Sequence, residues 1–156
     1  MCTGIALVQS ELPKPLFERH ALDRRAHHGR GGEDEVWFLY RHFDRCLPVW
    51  YEGELVVLPW GCRRSDSRAL PCTGWTWKDT LEAGGWANVE FTEAVIPANY
   101  GLEKGVWFTI TQGIRAIVVK DEKGQPRVYM VCEPASRYYR VMTKSDRMPA
   151  LVEQTI

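Results

Sequence analysis

The second residue of the chain is a cysteine, and an apolar run follows it in MCTGIALV. Removal of Met1 would make Cys2 the N-terminal residue, with an α-amine and a thiol on adjacent carbons. The unperturbed pKa values of these groups are ~7.7 and ~8.5, so both can act as nucleophiles near neutral pH. If Met1 stays, Cys2 is a small, half-buried residue at the head of a strand. Position alone favours this second interpretation.

A carboxylate with two possible environments lies in VIPANYGLEKGVWF, residues 95–108. Pro97 is predicted to end one strand, and Gly101 and Gly105 are predicted to bracket a turn that carries Glu103. An acid in such a turn ordinarily faces solvent. If it points into a cleft, it can move protons between reacting groups. Spacing alone favours the solvent-facing interpretation.

The stretch SDRMPALV near the end of the chain contains Ser145, Asp146 and Arg147. It follows a predicted short helix and precedes a strand that is expected to begin at Met-Pro. The simplest interpretation is helix termination, with a local ion pair between Asp146 and Arg147.

The composition excludes several classes of function. A chain of 156 residues, 45% of them hydrophobic, has the size of one ordinary domain with a real core. Twenty basic and twenty acidic residues give zero net charge, which argues against binding polyanions through overall charge but permits a local basic patch. No apolar stretch approaches the ~18 residues of a membrane span, so we expect no membrane partner.

The cysteines and histidines predict neither disulfides nor a metal centre. The cysteines are odd in number and have no CxxC spacing, which indicates a reducing, cytoplasmic environment. His27 and His28 lie in a polar, Gly-rich stretch without convergent acids. We therefore expect no metal ion and no cofactor.

The hydrophobic pattern predicts one α+β domain, residues 1–156, rich in short strands. Strands are predicted at 2–9 and in EVWFLYR, LPVWYE, ELVVLPW, EAVIPA, VWFTI, IRAIVVK and RVYMV, with tight turns at Glu52-Gly53 and DEKG. Short helices are predicted at Leu16–Ala26 and in PASRYYRVM, and ALVEQTI is expected to be extended. Residues 61–85 lack a clear pattern, which is typical of a functional or flexible segment.

Tryptophan is unusually frequent, with seven residues beside six tyrosines and five phenylalanines. Such a surplus favours a packed β core. It is also found on surfaces where unpaired nucleic-acid bases stack on aromatic rings.

Three pieces of the chain, taken in order, resemble one family. The initial Met-Cys, VIPANYGLE and SDRMPALV are similar to the marks of the SOS-response-associated peptidase (SRAP) family, whose members crosslink to abasic sites in single-stranded DNA. The family pattern has Met-Cys at the start, C-[LI]-[IV]-P-A-x-G-[FW]-x-E-W in the middle and H-[DH]-R-[MR]-P near the end. LPWG at 58–61 and EPASRYYRVMTK also resemble family segments, and the whole chain resembles a short, divergent, phage-like member.

The resemblance implies an SRAP-like α+β fold with a mixed, partly barrel-like sheet. It also implies a catalytic group of Cys2, Glu103 and Ser145. The Cys2 amine would condense with the open-chain aldehyde of an abasic site, and the thiol would then close a thiazolidine ring. Glu103 would move the protons. The implied partner is single-stranded DNA with abasic sites, bound by a monomer.

The resemblance and the basic segment after Trp60 together predict the DNA contacts. The arginines are expected to bind phosphates and the tryptophans to stack on bases. The alternative is a solvated loop whose arginines pair with local acids such as Asp66. The predicted DNA-binding residues are Trp60, Arg63, Arg64, Arg68, Trp75, Trp77 and Arg147.

The chain departs from the family pattern at several functional positions. Ser145 stands where the family has His, and Trp75 and Trp77 stand where it has Asn and Arg. Two alternatives therefore stay open: a catalytically impaired module that binds single-stranded DNA, and a thiol peptidase or autoprocessing protein. The peptidase would need a histidine base for Cys2, and no motif supplies one.

Overall fold

Short extended runs build two β-sheets in the computed structural model, which describes residues 2–156. Strands and helices are numbered along the chain. The first sheet is antiparallel throughout. From edge to edge it contains β2 (Ala26–His28), β3 (Asp34–Leu39), β1 (Gly4–Val8), β8 (Tyr100–Glu103) and β9 (Val106–Thr109).

The second sheet has six strands in one path and a seventh strand beside it. Along the path lie β12 (Arg147–Pro149), β11 (Pro126–Pro134), β10 (Ile114–Lys120), β7 (Phe91–Ile96), β4 (Cys46–Tyr51) and β5 (Glu54–Pro59). The short β6 (Trp75–Trp77) pairs in parallel with β11. A single parallel bridge from Trp60 to Val128 brings the chain after β5 beside β11, but the strands of residues 2–156 form no closed barrel.

In the described part of the chain, three short α-helices complete the fold: α1 (Lys14–Arg19), α2 (Lys78–Glu82) and α3 (Arg137–Thr143). The predicted α+β class is therefore confirmed, with two sheets in place of the one mixed sheet expected. The described residues form no closed barrel, although the chain after β5 meets β11. Within residues 2–156, no helix combines the length and the apolar character needed to cross a membrane.

Both sheets contribute to one main hydrophobic core. It includes Ile5, Phe38, Val49, Ile114 and Val128, which are buried side chains from five different strands. A second, smaller cluster forms where residues 62–91 pack on side chains of β10 and β11. The segment after Gly61 therefore covers one face of the second sheet, although its sequence has little regular pattern.

The predicted helix at Leu16–Ala26 is wrong in length. The α-helix ends at Arg19, Ala21 takes a left-handed conformation with φ of 50°, and a 3-10 turn follows at Leu22–Arg25. Residues six positions apart point to different sides of an α-helix. The break lets both Leu16 and Leu22 face the core.

Two other predictions need correction. The pattern-poor residues 61–85 contain β6 and α2, each only a few residues long. The C-terminal ALVEQTI is not a strand, since it makes one isolated bridge at Leu151 and then a turn. The predicted hairpin at Glu52-Gly53 is confirmed, and both residues have the positive φ that a tight two-residue turn requires.

An arginine latch covers the outer face of the first sheet. The Arg30 guanidinium lies 4.4 Å from the Tyr100 ring centroid and 4.5 Å from that of Trp107. It also pairs with the buried Glu35 carboxylate at 3.3 Å, which accepts a hydrogen bond from the Trp37 indole N–H. The loop between β2 and β3 is thereby fastened to β8 and β9 on the far side of β1.

Gly61 is required where the chain leaves β5. Its φ is +65°, and an added Cβ would lie 2.0 Å from the carbonyl oxygen of Thr73. We expect Gly61→Ala to lower the free energy of unfolding by about 2–3 kcal/mol, because strain and overlap with a backbone atom combine. Gly124→Ala is the matched control: φ is +80° there, but no atom lies within 4 Å. Equal losses in urea unfolding of both variants would contradict the requirement for glycine at position 61.

Candidate active site

The N-terminal segment is held at the centre of the first sheet. The Thr3 amide donates to the Leu102 carbonyl at 2.8 Å, and the Thr3 carbonyl accepts from the Tyr40 amide at 2.9 Å. The Trp75 indole N–H donates to the carbonyl of Cys2 at 3.0 Å. These contacts fix the backbone of Cys2 next to β8.

The Cys2 thiol is enclosed by protein. Its side chain is fully buried, and Sγ donates to the Gly4 carbonyl at 3.0 Å. Burial raises the pKa of the Cys2 thiol to about 11. The thiol is therefore protonated at neutral pH in this structure.

Glu103 is a strand residue, contrary to the predicted turn. The turn is formed by Lys104 and Gly105, both with positive φ, so Glu103 is the last residue of β8 and pairs with Val106. It is only 2% exposed, which overturns the solvent-facing interpretation. Burial is the main cause that raises the pKa of the Cys2 thiol, backbone hydrogen bonds lower it, and the charge of Glu103 raises it further, so the two side chains interact.

Tyr139 joins this group and was not among the residues predicted from the sequence. It is fully buried in the same core cluster as Cys2, and its ring packs edge-to-face on Phe108 with centroids 5.2 Å apart. Its hydroxyl has no hydrogen-bond partner within residues 2–156. Burial, and next the charges of Cys2 and Glu103, raise the pKa of the Tyr139 phenol. Its only sequence signal is its position on one face of the helix predicted in PASRYYRVM.

Ser145 shapes the turn between α3 and β12. Its hydroxyl donates to the Arg147 carbonyl at 3.1 Å and accepts from the Arg147 amide at 3.3 Å. Nearby, the Lys104 ammonium donates to the Lys144 carbonyl at 2.7 Å. The turn after Glu103 and the turn before β12 are therefore in contact.

A cleft of about 300 Å³ is lined in part by Trp75, the residue whose indole N–H donates to the Cys2 carbonyl. Its lining includes Trp77, Trp86 and Arg147, and the Arg147 guanidinium lies 4.3 Å from the centroid of Trp77. Trp75 thus links Cys2 to an open surface that combines a cation with aromatic rings.

The predicted tryptophans divide into two groups. Trp60 is 1% exposed, donates its indole N–H to the Gly74 carbonyl and packs against Tyr40 and Trp75. Trp75 is also buried. Both belong to the core, and Trp75 is only 9% exposed where it lines the cleft. Of the three, the half-buried Trp77 therefore offers the main stacking surface.

The three predicted arginines after Gly61 do not behave alike. Arg63 donates to the Phe43 carbonyl at 2.6 Å and lies over the Phe43 ring, so it is largely a structural residue. Arg64 and Arg68 are exposed. Asp66, suggested as their partner, instead lies 3.6 Å from Arg127. The segment that carries Arg68 continues into Ala69 and Pro71, which line the cleft beside Trp77.

The described residues form neither a metal-binding group nor a disulfide. No group of three or more His, Cys, Asp or Glu side chains in residues 2–156 could hold a metal ion, and the five cysteines are free thiols. The expected removal of Met1 concerns a residue outside the described range. No family model and no curated protein matches the chain, so its function is inferred from the residues themselves.

The burial of Cys2 predicts how the thiols react. At pH 7.5 we expect a maleimide to modify the exposed Cys72 fastest and Cys2 roughly 10²-fold more slowly, because a thiol of pKa about 11 has little thiolate. Raising the pH should speed modification of Cys2 until it approaches this pKa. Peptide mass mapping of the unprocessed chain reads both rates, and Cys72→Ser identifies the fast site. Equal labelling of Cys2 and Cys72 would contradict the buried position.

Proposed function

We propose that the chain captures abasic sites in single-stranded DNA through Cys2, as its resemblance to the SRAP family implies. The observation that carries the proposal is the pairing of β1 with β8, which brings Cys2 and Glu103 into one buried group. The contact between Lys104 and Lys144 adds the turn of Ser145 to the same region. Three segments far apart in the chain thus meet at one end of the first sheet.

The reaction needs a free α-amine on Cys2, and hence removal of Met1. The amine nitrogen attacks the aldehyde carbon of the ring-opened sugar, and the carbonyl oxygen takes up a proton. Loss of water gives an imine, to which the thiol adds while its proton passes to nitrogen. Glu103 is suited to carry these protons because it is buried beside Cys2. Amine and thiol on one residue make the second step intramolecular.

The cleft beside Trp77 suits single-stranded DNA. A base can stack on the Trp77–Arg147 pair, and phosphates can bind the exposed Arg64 and Arg68 on the segment that continues into the cleft lining. Trp75 lines this cleft and also donates its indole N–H to the Cys2 carbonyl. A strand bound there would pass close to the nucleophile.

A second candidate, a binding module without covalent chemistry, has specific support. The Cys2 thiol is buried and protonated, and the Ser145 hydroxyl is engaged in a turn. A serine hydroxyl cannot exchange protons near neutral pH as an imidazole can. This candidate keeps the cleft and omits the reaction.

Intact mass separates the two candidates. Chain lacking Met1, mixed with an abasic single-stranded oligonucleotide, should form an adduct whose mass is the sum of both less one water. We expect Cys2→Ser to give no stable adduct and Glu103→Gln to slow its formation by about 10²-fold, because proton transfer is lost. Absence of an adduct from processed wild-type chain, with binding intact, would favour the module.

DNA affinity tests the cleft. The affinity for DNA should fall as the salt concentration rises, and replacing Arg64 and Arg68 together by Ala should make this fall shallower. The magnitude of the slope of log affinity against log salt should decrease by about 0.7 for each phosphate that these arginines neutralise. Trp77→Ala should weaken binding by about 1–3 kcal/mol at every salt concentration, since stacking is not screened. Arg115→Ala is the control, because that arginine pairs with Glu93 on β7 and lies outside the cleft lining. Equal effects of all three changes in a fluorescence titration would reject this surface.

A further inference from the structure

The Tyr139 hydroxyl is buried away from water, and no group in the described part of the chain replaces the hydrogen bonds that it loses. It is fully enclosed and has no hydrogen-bond partner within residues 2–156. A buried donor without a partner is destabilising, and such groups are rare in native proteins. Phenylalanine would pack on Phe108 equally well without that penalty. The unpaired hydroxyl therefore suggests that its hydrogen-bond partner is an atom of a bound ligand.

The position of Tyr139 is rigidly determined. Its amide donates to the Ser136 hydroxyl that caps α3, and its carbonyl accepts from the Thr143 hydroxyl at 2.8 Å. The same Thr143 oxygen accepts from the Ser145 amide, so the helix and the following turn form one unit. The Phe108 ring occupies the space that a side chain at position 101 would need, and it packs edge-to-face on the Tyr139 ring.

Tyr139 is buried close enough to the two groups of the proposed reaction for their charges to act on it. It shares the core cluster with Cys2, and the charges of Cys2 and Glu103 both act to raise the pKa of its phenol. Because burial keeps the phenol protonated at physiological pH, its oxygen remains a hydrogen-bond donor.

We infer that Tyr139 is a catalytic residue whose hydroxyl donates a hydrogen bond to the aldehyde oxygen of the captured sugar. The inference rests on the proposed function. When the Cys2 amine attacks the aldehyde carbon, the C=O electron pair moves onto oxygen, and a donor already fixed in a water-poor site stabilises that charge. The proton that converts this oxygen to a leaving water comes through Glu103, and Tyr139 keeps its own proton throughout.

The experiment compares Tyr139→Phe with Tyr129→Phe in chain lacking Met1. Tyr129 is equally buried, but its hydroxyl donates to the Pro71 carbonyl at 2.9 Å. We expect Tyr139→Phe to slow thiazolidine formation by about 10²-fold at saturating oligonucleotide, with the half-saturating concentration unchanged. Its Tm should stay equal or rise by up to about 3 °C, since an unpaired donor is removed. Tyr129→Phe should show the reverse: a lower Tm and an unchanged rate.

Each outcome decides the inference. An unchanged adduct rate in Tyr139→Phe overturns it while leaving the proposed function intact. A fall in Tm comparable to that of Tyr129→Phe also overturns it, because the hydroxyl would then have a partner inside the protein. Failure of the wild-type chain to form any adduct removes the proposed function and this role together. A Tyr139→Phe variant that forms the adduct slowly but keeps its Tm supports the inference. Loss of a tyrosine with only a structural role would instead lower the Tm.

Discussion

The position of β1 between β3 and β8 is the constraint on which the candidate site depends. A strand paired on both sides cannot shift its register without breaking two ladders at once. Gly4 lies opposite both Leu39 and Leu102, and a Cβ there would lie 2.5 Å from Leu39 Cδ2. Because Gly4 fits closely against Leu39, the positions of the two residues before it, Thr3 and Cys2, are also determined. Glu103 follows one residue after Leu102, so one pairing determines both partners.

Much of the strand pattern could be predicted from the sequence. Alternating or continuous apolar runs marked most strands of both sheets, and the turn at Glu52-Gly53 was visible because its residue types suit positive φ. The three-residue β6 was missed because its strand character comes from parallel pairing with β11, which lies far along the chain. The early end of α1 was missed because a left-handed Ala21 has no local signal.

The site was only partly predictable. The resemblance grouped Cys2, Glu103 and Ser145, and the turn that follows Glu103 contacts the turn that carries Ser145. Composition could not separate tryptophans that fill a core from tryptophans that present a face, and Trp60 and Trp75 belong to the first kind. Tyr139 could not be found from the chain alone. Its importance lies in an unpaired hydroxyl, and only three-dimensional packing reveals that.

The Arg30 latch has a consequence for how the first sheet opens. An edge hairpin such as β8–β9 would ordinarily fray on its own, exposing its amides to exchange with water. Here Arg30 binds Tyr100 and Trp107 on one face of that hairpin and Glu35 on β3. Lifting the hairpin therefore also releases the β2–β3 loop and uncovers a buried carboxylate. The strand that ends at Glu103 should thus open only together with the rest of its sheet, and such opening should be rare.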